Sequence, residues 1–183
     1  MERVWRKTLL MGLAAAGFFA AAVPKVSSDP LHAAGPLASV ARSCATPEQV
    51  ARFLRDHVIF QEDMHLFGKA DYWQAPEEFL ARGRGDCEDY ALLARALLSR
   101  QGVRAFVFSL YGESGYAHTV CVFMEGERYS VLNQDRLLHY RAASLEELAG
   151  KLYRAWEWGA VAERHGHRGR AVRIIRRSGL SNN

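Results

Sequence analysis

The 183-residue chain contains few cysteines, and their number is odd. Cys44, Cys87 and Cys121 can form at most one disulfide, so disulfides do not form the framework of the fold and at least one thiol is free. A bond between Cys44 and Cys121 stays an open alternative, because the sequence does not give the geometry that a disulfide requires. The chain also lacks internal repeats. Its 49% of apolar residues is enough for one domain with a core and excludes general disorder.

Positive charge is scarce in the centre of the chain, although the net charge is +4. Residues 1–7 carry +2 and residues 163–183 carry +5, which leaves −3 for residues 8–162. The basic stretches therefore lie at the two ends, where they are easily solvated. This distribution argues against a nucleic-acid partner, which a basic folded domain would favour.

The N-terminal residues have the pattern of an export signal. Arg3, Arg6 and Lys7 precede an uncharged run over residues 8–23, which is shorter than the ~20 apolar residues of a membrane-spanning helix. We therefore predict a signal peptide over residues 1–23, with an uncleaved membrane anchor as the alternative. The protein is accordingly expected to be exported, in the periplasm or cell envelope.

Composition divides the rest of the chain into three parts. Residues 24–44 contain prolines and glycine without a sustained period, and we interpret them as a linker. Residues 45–162 form the predicted folded domain. Residues 163–183 contain many arginines and too few apolar residues to fold alone, which predicts a flexible basic tail. Either this tail or the N-terminal segment could associate with a membrane.

Helical spacing dominates the first half of the domain. Thr46, Pro47 and Gln49 match a capped helix N-terminus, and the apolar spacing continues that helix to about Phe60. A short helix is predicted over residues 76–81, inside an otherwise irregular connection. A longer helix is predicted over residues 87–101, directly before Gly102.

Extended spacing then replaces helical spacing. Strands are predicted over residues 103–111, 117–125 and 128–133, with a hairpin turn at Gly126 between the last two. A final helix is predicted to start at Ser144 and to continue through Leu152 towards Trp158. Helices that precede a small antiparallel sheet indicate an α+β fold.

Cys87 has the position of a reactive thiol. It lies at a predicted helix N-terminus, where unpaired N–H groups and the helix dipole favour the thiolate. Asp86, Glu88 and Asp89 surround it with negative charge, which would raise the thiol pKa unless a cation compensates. An imidazolium or a bound cation could supply that compensation.

A histidine and two candidate orienting residues follow on the strands. His118 lies in the second predicted strand and can act as the base for a nucleophilic thiol. The hairpin returns Asn133 and Asp135 towards it. If the third strand continues to Asp135, period-two alternation points both side chains to the same side, so either can orient the imidazole.

Three segments carry a resemblance to a known family. Residues 85–91 read GDCEDYA, residues 116–120 read YAHTV and residues 129–133 read YSVLN. Together with Trp73 and the PEEFL run at residues 76–80, they resemble the bacterial transglutaminase-like cysteine peptidases of the papain-fold superfamily. The resemblance covers roughly residues 46–140. Members of the family usually have aspartate where this chain has Asn133.

The resemblance implies a fold and a catalytic site. The expected fold is a papain-like α+β core, with the nucleophile at the N-terminus of a central helix that packs on a small antiparallel sheet. Cys87 would attack an amide carbonyl, and His118 would transfer protons while Asn133 or Asp135 orients it. The Cys87 N–H and a side-chain donor would bind the oxyanion, with Trp73 and Gln74 as candidates for that donor.

Some members of this family bind calcium through carboxylates that flank the cysteine. Carried over to this chain, the resemblance implies Asp86 and Glu88 as ligands, with Asp89 as a third candidate, and hard oxygens suit Ca²⁺. The alternative is that these acidic residues only favour the first turn of the helix.

The resulting hypothesis is an exported cysteine peptidase or amidase that hydrolyses a peptide or isopeptide bond in a protein or peptide substrate. One alternative is transglutaminase-type transfer of the acyl group to an amine. Another is a catalytically inactive peptide-binding or assembly module. Substrate specificity is expected to lie in residues 61–85 and in the loop over residues 112–116.

Overall fold

The computed structural model describes residues 35–178 as alternating helical and extended elements. The helices are α1 (Pro36–Ser43), α2 (Pro47–His57), α3 (Asp63–Phe67), α4 (Pro76–Arg82), α5 (Cys87–Arg100) and α6 (Leu145–Leu152). The strands are β1 (Ile59–Phe60), β2 (Arg84–Gly85), β3 (Ala105–Gly112), β4 (Tyr116–Glu125), β5 (Arg128–Asn133), β6 (Arg136–Ala142), β7 (Trp156–His165) and β8 (Arg168–Arg176). The predicted α+β class is confirmed.

A six-stranded antiparallel sheet in the order β6-β5-β4-β3-β7-β8 forms the centre of the fold. Alternate residues of β3 face opposite sides of this sheet. Val107 belongs to the hydrophobic core that contains the α5 residue Leu93, whereas Phe108 belongs to the core that contains the α6 residue Leu148. Helix α5 therefore packs on one face and α6 on the other, which places the N-terminus of α5 beside the sheet.

Local sequence signals position most of the predicted elements. The Thr46 hydroxyl accepts a hydrogen bond from the Gln49 N–H, as expected for a capped helix. Gly126 has a φ of 64° in the turn between β4 and β5, which explains the glycine there. Helix α2 ends at His57, before the predicted Phe60, because Ile59 and Phe60 pair in parallel with β2.

The prediction of a flexible tail is wrong for its described part. Residues Arg168–Arg176 form β8, which pairs with β7 along its length. The tail has too few apolar residues to fold alone, but Ile175 is buried in the core on the α6 side while the arginines remain exposed. Pairing with β7 therefore orders this segment, although its composition alone does not predict a folded structure.

The last predicted helix and the linker also need correction. Helix α6 ends at Leu152, and the two tryptophans towards which it was expected to continue belong to β7, where Trp156 and Trp158 follow a period of two. Within the predicted linker, α1 buries Leu37 and Ala41 in the core on the α5 side. The domain therefore extends beyond residues 45–162 at both ends.

The remaining predictions about the chain ends lie mostly outside the described residues. The signal peptide or anchor over residues 1–23 and the start of the linker fall in this category. Between residues 35 and 178, the helices are too short or too polar to span a membrane. Cys44, Cys87 and Cys121 are all free thiols, so Cys44 and Cys121 are not bonded to each other.

Candidate active site

Cys87 is the first residue of α5 and is partly exposed. Its thiol donates a hydrogen bond to Glu88 Oε2 over 3.2 Å. Burial raises the pKa of Cys87 well above the usual value, and the charges of Glu88 and Asp86 raise it further. A hydrogen bond from the Thr119 backbone acts in the opposite direction. The carboxylates therefore oppose thiolate formation unless their charge is neutralised.

His118 lies next to Thr119 near the start of β4, and its ring is hydrogen-bonded to Asn133, the last residue of β5. Its Nε2 is 2.7 Å from Asn133 Oδ1. Since the amide oxygen only accepts, Nε2 donates and Nδ1 remains the basic nitrogen of the neutral ring. Burial lowers the pKa of His118, and the hydrogen bond to Asn133 partly offsets that effect. The ring is therefore oriented and poised to accept a proton at Nδ1.

Asp135 does not share the position of Asn133 in the sheet. Strand β5 ends at Asn133, and Gln134 has a φ of 54° in the turn that leads to β6. The condition that the strand continues to Asp135 is therefore not met, because the left-handed turn changes the direction of the chain. The charge of Asp135 instead adds to burial in raising the pKa of Tyr90 to about 12.

The Gln74 side chain is buried and holds a carboxylate. Its Nε2 donates to Arg84 O over 2.9 Å and to Asp89 Oδ2 over 2.5 Å. The Gln74 backbone N–H donates to Asp89 Oδ1 over 2.8 Å. In this structure the amide of Gln74 therefore positions Asp89 instead of pointing a free donor at the site.

Trp73 is also buried, and its indole N–H is engaged. Trp73 Nε1 donates to Asp71 Oδ1 over 2.9 Å. The ring lies so close to β8 that a Cβ on Gly169 would overlap it. Both candidate oxyanion donors predicted from the sequence thus bind acidic residues near Cys87.

Gly85, which precedes the nucleophile by two residues, is required by this packing. A Cβ at Gly85 would overlap Asp89 Oδ2 and would lie 2.6 Å from Gln74 Nε2. We expect Gly85→Ala to separate Gln74 from Asp89 and to destabilise the fold by about 1–3 kcal/mol. Urea denaturation measures this loss. Gly150→Ala is the matched control, since its Cβ meets only Trp156 Nε1, at 3.9 Å, and its stability should not fall.

Five carboxylates gather beside Cys87, two more than the sequence suggested. Single oxygens of Asp63, Asp86 and Asp89 lie within 4.8 Å of one another, as do those of Asp63, Asp71 and Glu88. Asp63 is the first residue of α3 and Asp71 lies in the loop between α3 and α4, and no local pattern separates them from the other acidic residues of this region. The fold, and not the sequence spacing, brings them to the site.

Burial makes ionisation of these carboxylates unfavourable. It raises the pKa of Asp86 to about 9, with further contributions from Glu88, and raises the pKa of Asp89 to about 7. The pKa values of Asp63 and Glu88 are raised for the same reason. Such a cluster is stable as a group of anions only if a cation joins it.

The donor set fits a hard divalent cation. Asp63 Oδ1 and Asp86 Oδ1 are buried and have no hydrogen-bond partner among the described residues. Within residues 35–178, none of the five carboxylates forms an ion pair with a basic side chain. Several carboxylate oxygens with unused acceptor capacity are the ligands that Ca²⁺ prefers.

Known proteins resemble different portions of the chain. Calcium-bound LapG of Legionella pneumophila has a similar fold, with a TM-score of 0.50 and 20% identity over 74% of this chain and 80% of that one. A 65-residue segment is 42% identical to human centrosomal protein of 76 kDa. That segment is 34% of this chain, and the chain spans only 10% of the length of that relative.

A family model covers the catalytic candidates themselves. The model describes the bacterial transglutaminase-like cysteine proteinases and matches residues 27–135. The matched region includes Cys87, His118 and Asn133 but ends before β6. Since more than half of the chain is matched and the α+β fold agrees, the chain belongs to the bacterial transglutaminase-like cysteine proteinases.

Proposed function

We propose that the protein is a cysteine peptidase that hydrolyses an amide bond of a protein or peptide substrate. The observation that carries the proposal is the arrangement of a partly exposed Cys87 at the α5 N-terminus beside the strand that holds the His118–Asn133 pair. A helix N-terminus stabilises a thiolate, and an oriented imidazole can exchange a proton with it.

Cys87 Sγ attacks the carbonyl carbon of the scissile amide. His118 accepts the thiol proton and donates it to the amine as the C–N bond breaks. A water molecule, deprotonated by His118, then attacks the thioester and releases the carboxylate and the free thiol. Asn133 keeps the ring oriented in both steps, because its Oδ1 accepts from His118 Nε2.

The oxyanion of the tetrahedral intermediate is stabilised by the start of α5. As the first helical residue, Cys87 has a backbone N–H without a partner inside the helix. This N–H lies at the positive end of the helix dipole and can donate to developing negative charge. Trp73 and Gln74 contribute as second donors only if substrate displaces the acidic residues that they bind.

Calcium is the cation that we propose for the acidic cluster. Asp63, Asp71, Asp86 and Glu88 would hold it, and Asp89 remains a further candidate. When bound, the ion neutralises the charge that opposes thiolate formation at Cys87. The similar fold of calcium-bound LapG supports this choice. The substrate would be met outside the cytoplasm if the basic and uncharged N-terminal pattern acts as a signal peptide or an anchor.

Asn133 gives the most direct test of the catalytic arrangement. We expect Asn133→Ala to lower kcat by about 100-fold or more with little change in KM, because the imidazole loses its orienting partner. Asn133→Asp should retain activity, since a carboxylate also accepts from Nε2. The measurement is the steady-state cleavage of a peptide substrate in calcium buffer.

Asp135→Ala is the control for this test. Asp135 lies in the turn after β5, so its removal should change kcat by less than about threefold. A larger loss in Asp135→Ala than in Asn133→Ala would show that Asp135 is the orienting residue and would contradict the proposed arrangement.

A further inference from the structure

A groove of about 200 Å³ lies on the α5 face of the sheet. Its floor consists of small side chains from β3, β7 and β8, namely Ser109, Ala160, Ala162 and Ala171. The strand register places these residues on one face, since Ser109 is paired with Ala160 and Ala162 with Ala171. Most of this floor belongs to the β7–β8 hairpin, which lies beyond the family match at residues 27–135.

Aromatic side chains form the walls of the groove. On one side the rings of Tyr111 and Trp158 stack with centroids 3.7 Å apart. On the other side Trp73 is held against the hairpin, because its backbone N–H donates to His167 O over 3.1 Å and Gly169 leaves room for its ring. The β7–β8 hairpin therefore provides Trp158 for one wall and holds Trp73 in place in the other.

The groove is connected to the nucleophile by one row of paired residues. Thr119 contacts Cys87 through its backbone and pairs with Ser109, and their hydroxyl oxygens are 2.9 Å apart. Ser109 in turn pairs with Ala160. Two strand spacings of ~4.8 Å separate Thr119 from Ala160 by about 10 Å, which corresponds to about three residues of an extended peptide.

We propose that this groove is a specificity subsite for an apolar side chain of the substrate, located two to three residues from the scissile amide. The inference rests on the proposed peptidase function. The small floor residues leave space for the side chain, and the aromatic walls provide apolar contact area. Apart from Asp71, a proposed calcium ligand, the lining residues are uncharged, which favours an apolar side chain.

Filling the groove tests the assignment. Ala160→Leu and Ala171→Leu each replace a methyl group of the floor with an isobutyl group, and Val172→Leu is the matched control because Val172 is exposed and does not line the groove. Each variant, wild type and Cys87→Ala is incubated with a proteome-derived peptide mixture in calcium buffer. Mass spectrometry then maps the residues on both sides of every cut.

Wild type should prefer an apolar residue at one position, two to three residues from the cut. Both filled variants should lower kcat/KM for peptides with Leu, Met or Phe there by about tenfold or more relative to peptides with Ala. Val172→Leu should keep the wild-type profile. Ala171 is exposed on the edge strand β8, where a larger side chain should not prevent folding. Ala171→Leu therefore tests the subsite if Ala160→Leu does not fold.

The two possible failures have different signatures. Cleavage that depends on Cys87 but keeps one unchanged profile in both filled variants would overturn the subsite while leaving the peptidase proposal intact. Absence of any Cys87-dependent cleavage would overturn the proposed function and the subsite with it.

Discussion

Replacement of Cys87 by alanine is expected to lower the rate of peptide cleavage by at least about 10⁴-fold, because the thiol supplies the nucleophile for the acyl-enzyme. The fold should persist, since Cys87 is partly exposed and, among residues 35–178, its thiol is hydrogen-bonded only to Glu88 and the Thr119 backbone. The checks are the initial rate in calcium buffer and the thermal unfolding midpoint. Unchanged cleavage by a folded Cys87→Ala variant would contradict the role of Cys87.

Cys44→Ala serves as the control for a general effect of thiol removal. Cys44 is buried in the core on the α5 side, so its loss should lower the unfolding midpoint slightly and leave kcat unchanged. A labelled primary amine added to the wild-type reaction shows whether water or an amine accepts the acyl group from Cys87. Hydrolysis gives products with a free carboxylate, whereas incorporation of the label would show acyl transfer.

Chelation is expected to have the second large effect. Removal of calcium should reduce cleavage by about 100-fold or more, because the uncompensated carboxylates disfavour the Cys87 thiolate. Saturating calcium at ~100 Kd should stabilise the fold by about 2.7 kcal/mol, which raises the unfolding midpoint by about 5 to 10 °C. Activity and midpoint are measured with EGTA, with added calcium and with added magnesium. Equal values in EGTA and calcium would contradict a calcium site.

Asp63→Asn separates the cation site from other effects of calcium. The amide that replaces the carboxylate would still offer an oxygen to the Tyr72 N–H, which Asp63 now binds, but one buried negative charge would be lost. This variant should therefore be more stable than wild type in EGTA and show a smaller calcium shift. Asp56→Asn is the control, because Asp56 is 53% exposed on α2 and should keep the wild-type shift.

The pH dependence of stability without calcium has a definite sign. The pKa values of Asp86 and Asp89 are raised by burial to about 9 and about 7, above the ~3.9 of an unfolded chain. The folded state then binds more protons than the unfolded state, so stability is present below pH ~4 and is lost as the pH rises towards 7 and 9. In EGTA the unfolding midpoint should fall over this window, and calcium should reduce the slope.

Much of the candidate active site could be predicted from short-range patterns in the sequence. The GDCEDYA segment, the glycine turn at Gly126 and the spacing of the strands located Cys87, His118 and Asn133 correctly within their elements. Each of these features depends on residues that are close together in the chain, so each can be recognised in a single sequence. The choice between Asn133 and Asp135 depended on where β5 ends. A glutamine at position 134 does not by itself predict the left-handed conformation that ends the strand.

The rest of the site depends on strand pairing and on a loop path that the sequence patterns did not predict. Strand β8 is ordered by its pairing with β7 and by the burial of Ile175, and its arginines resemble a solvated tail when considered alone. The alternation of Trp156, Trp158, Ala160 and Ala162 was the available signal for β7, although the capped start of α6 directly before it favoured a longer helix. Asp63, at the start of the short helix α3, and Asp71, in the loop that follows it, reach the acidic cluster along a path that cannot be derived from periodicity.

The reactivity of Cys87 towards iodoacetamide tests the central claim most directly, namely that a calcium-dependent site activates this thiol. Peptide mass spectrometry reports the alkylation rate of each cysteine in the folded protein, with calcium and with EGTA at one fixed neutral pH. The account predicts that calcium increases the rate at Cys87 by about tenfold or more, while the buried Cys44 and Cys121 stay slow in both conditions. Alkylation of Cys87 at the same low rate with calcium as with EGTA would contradict it.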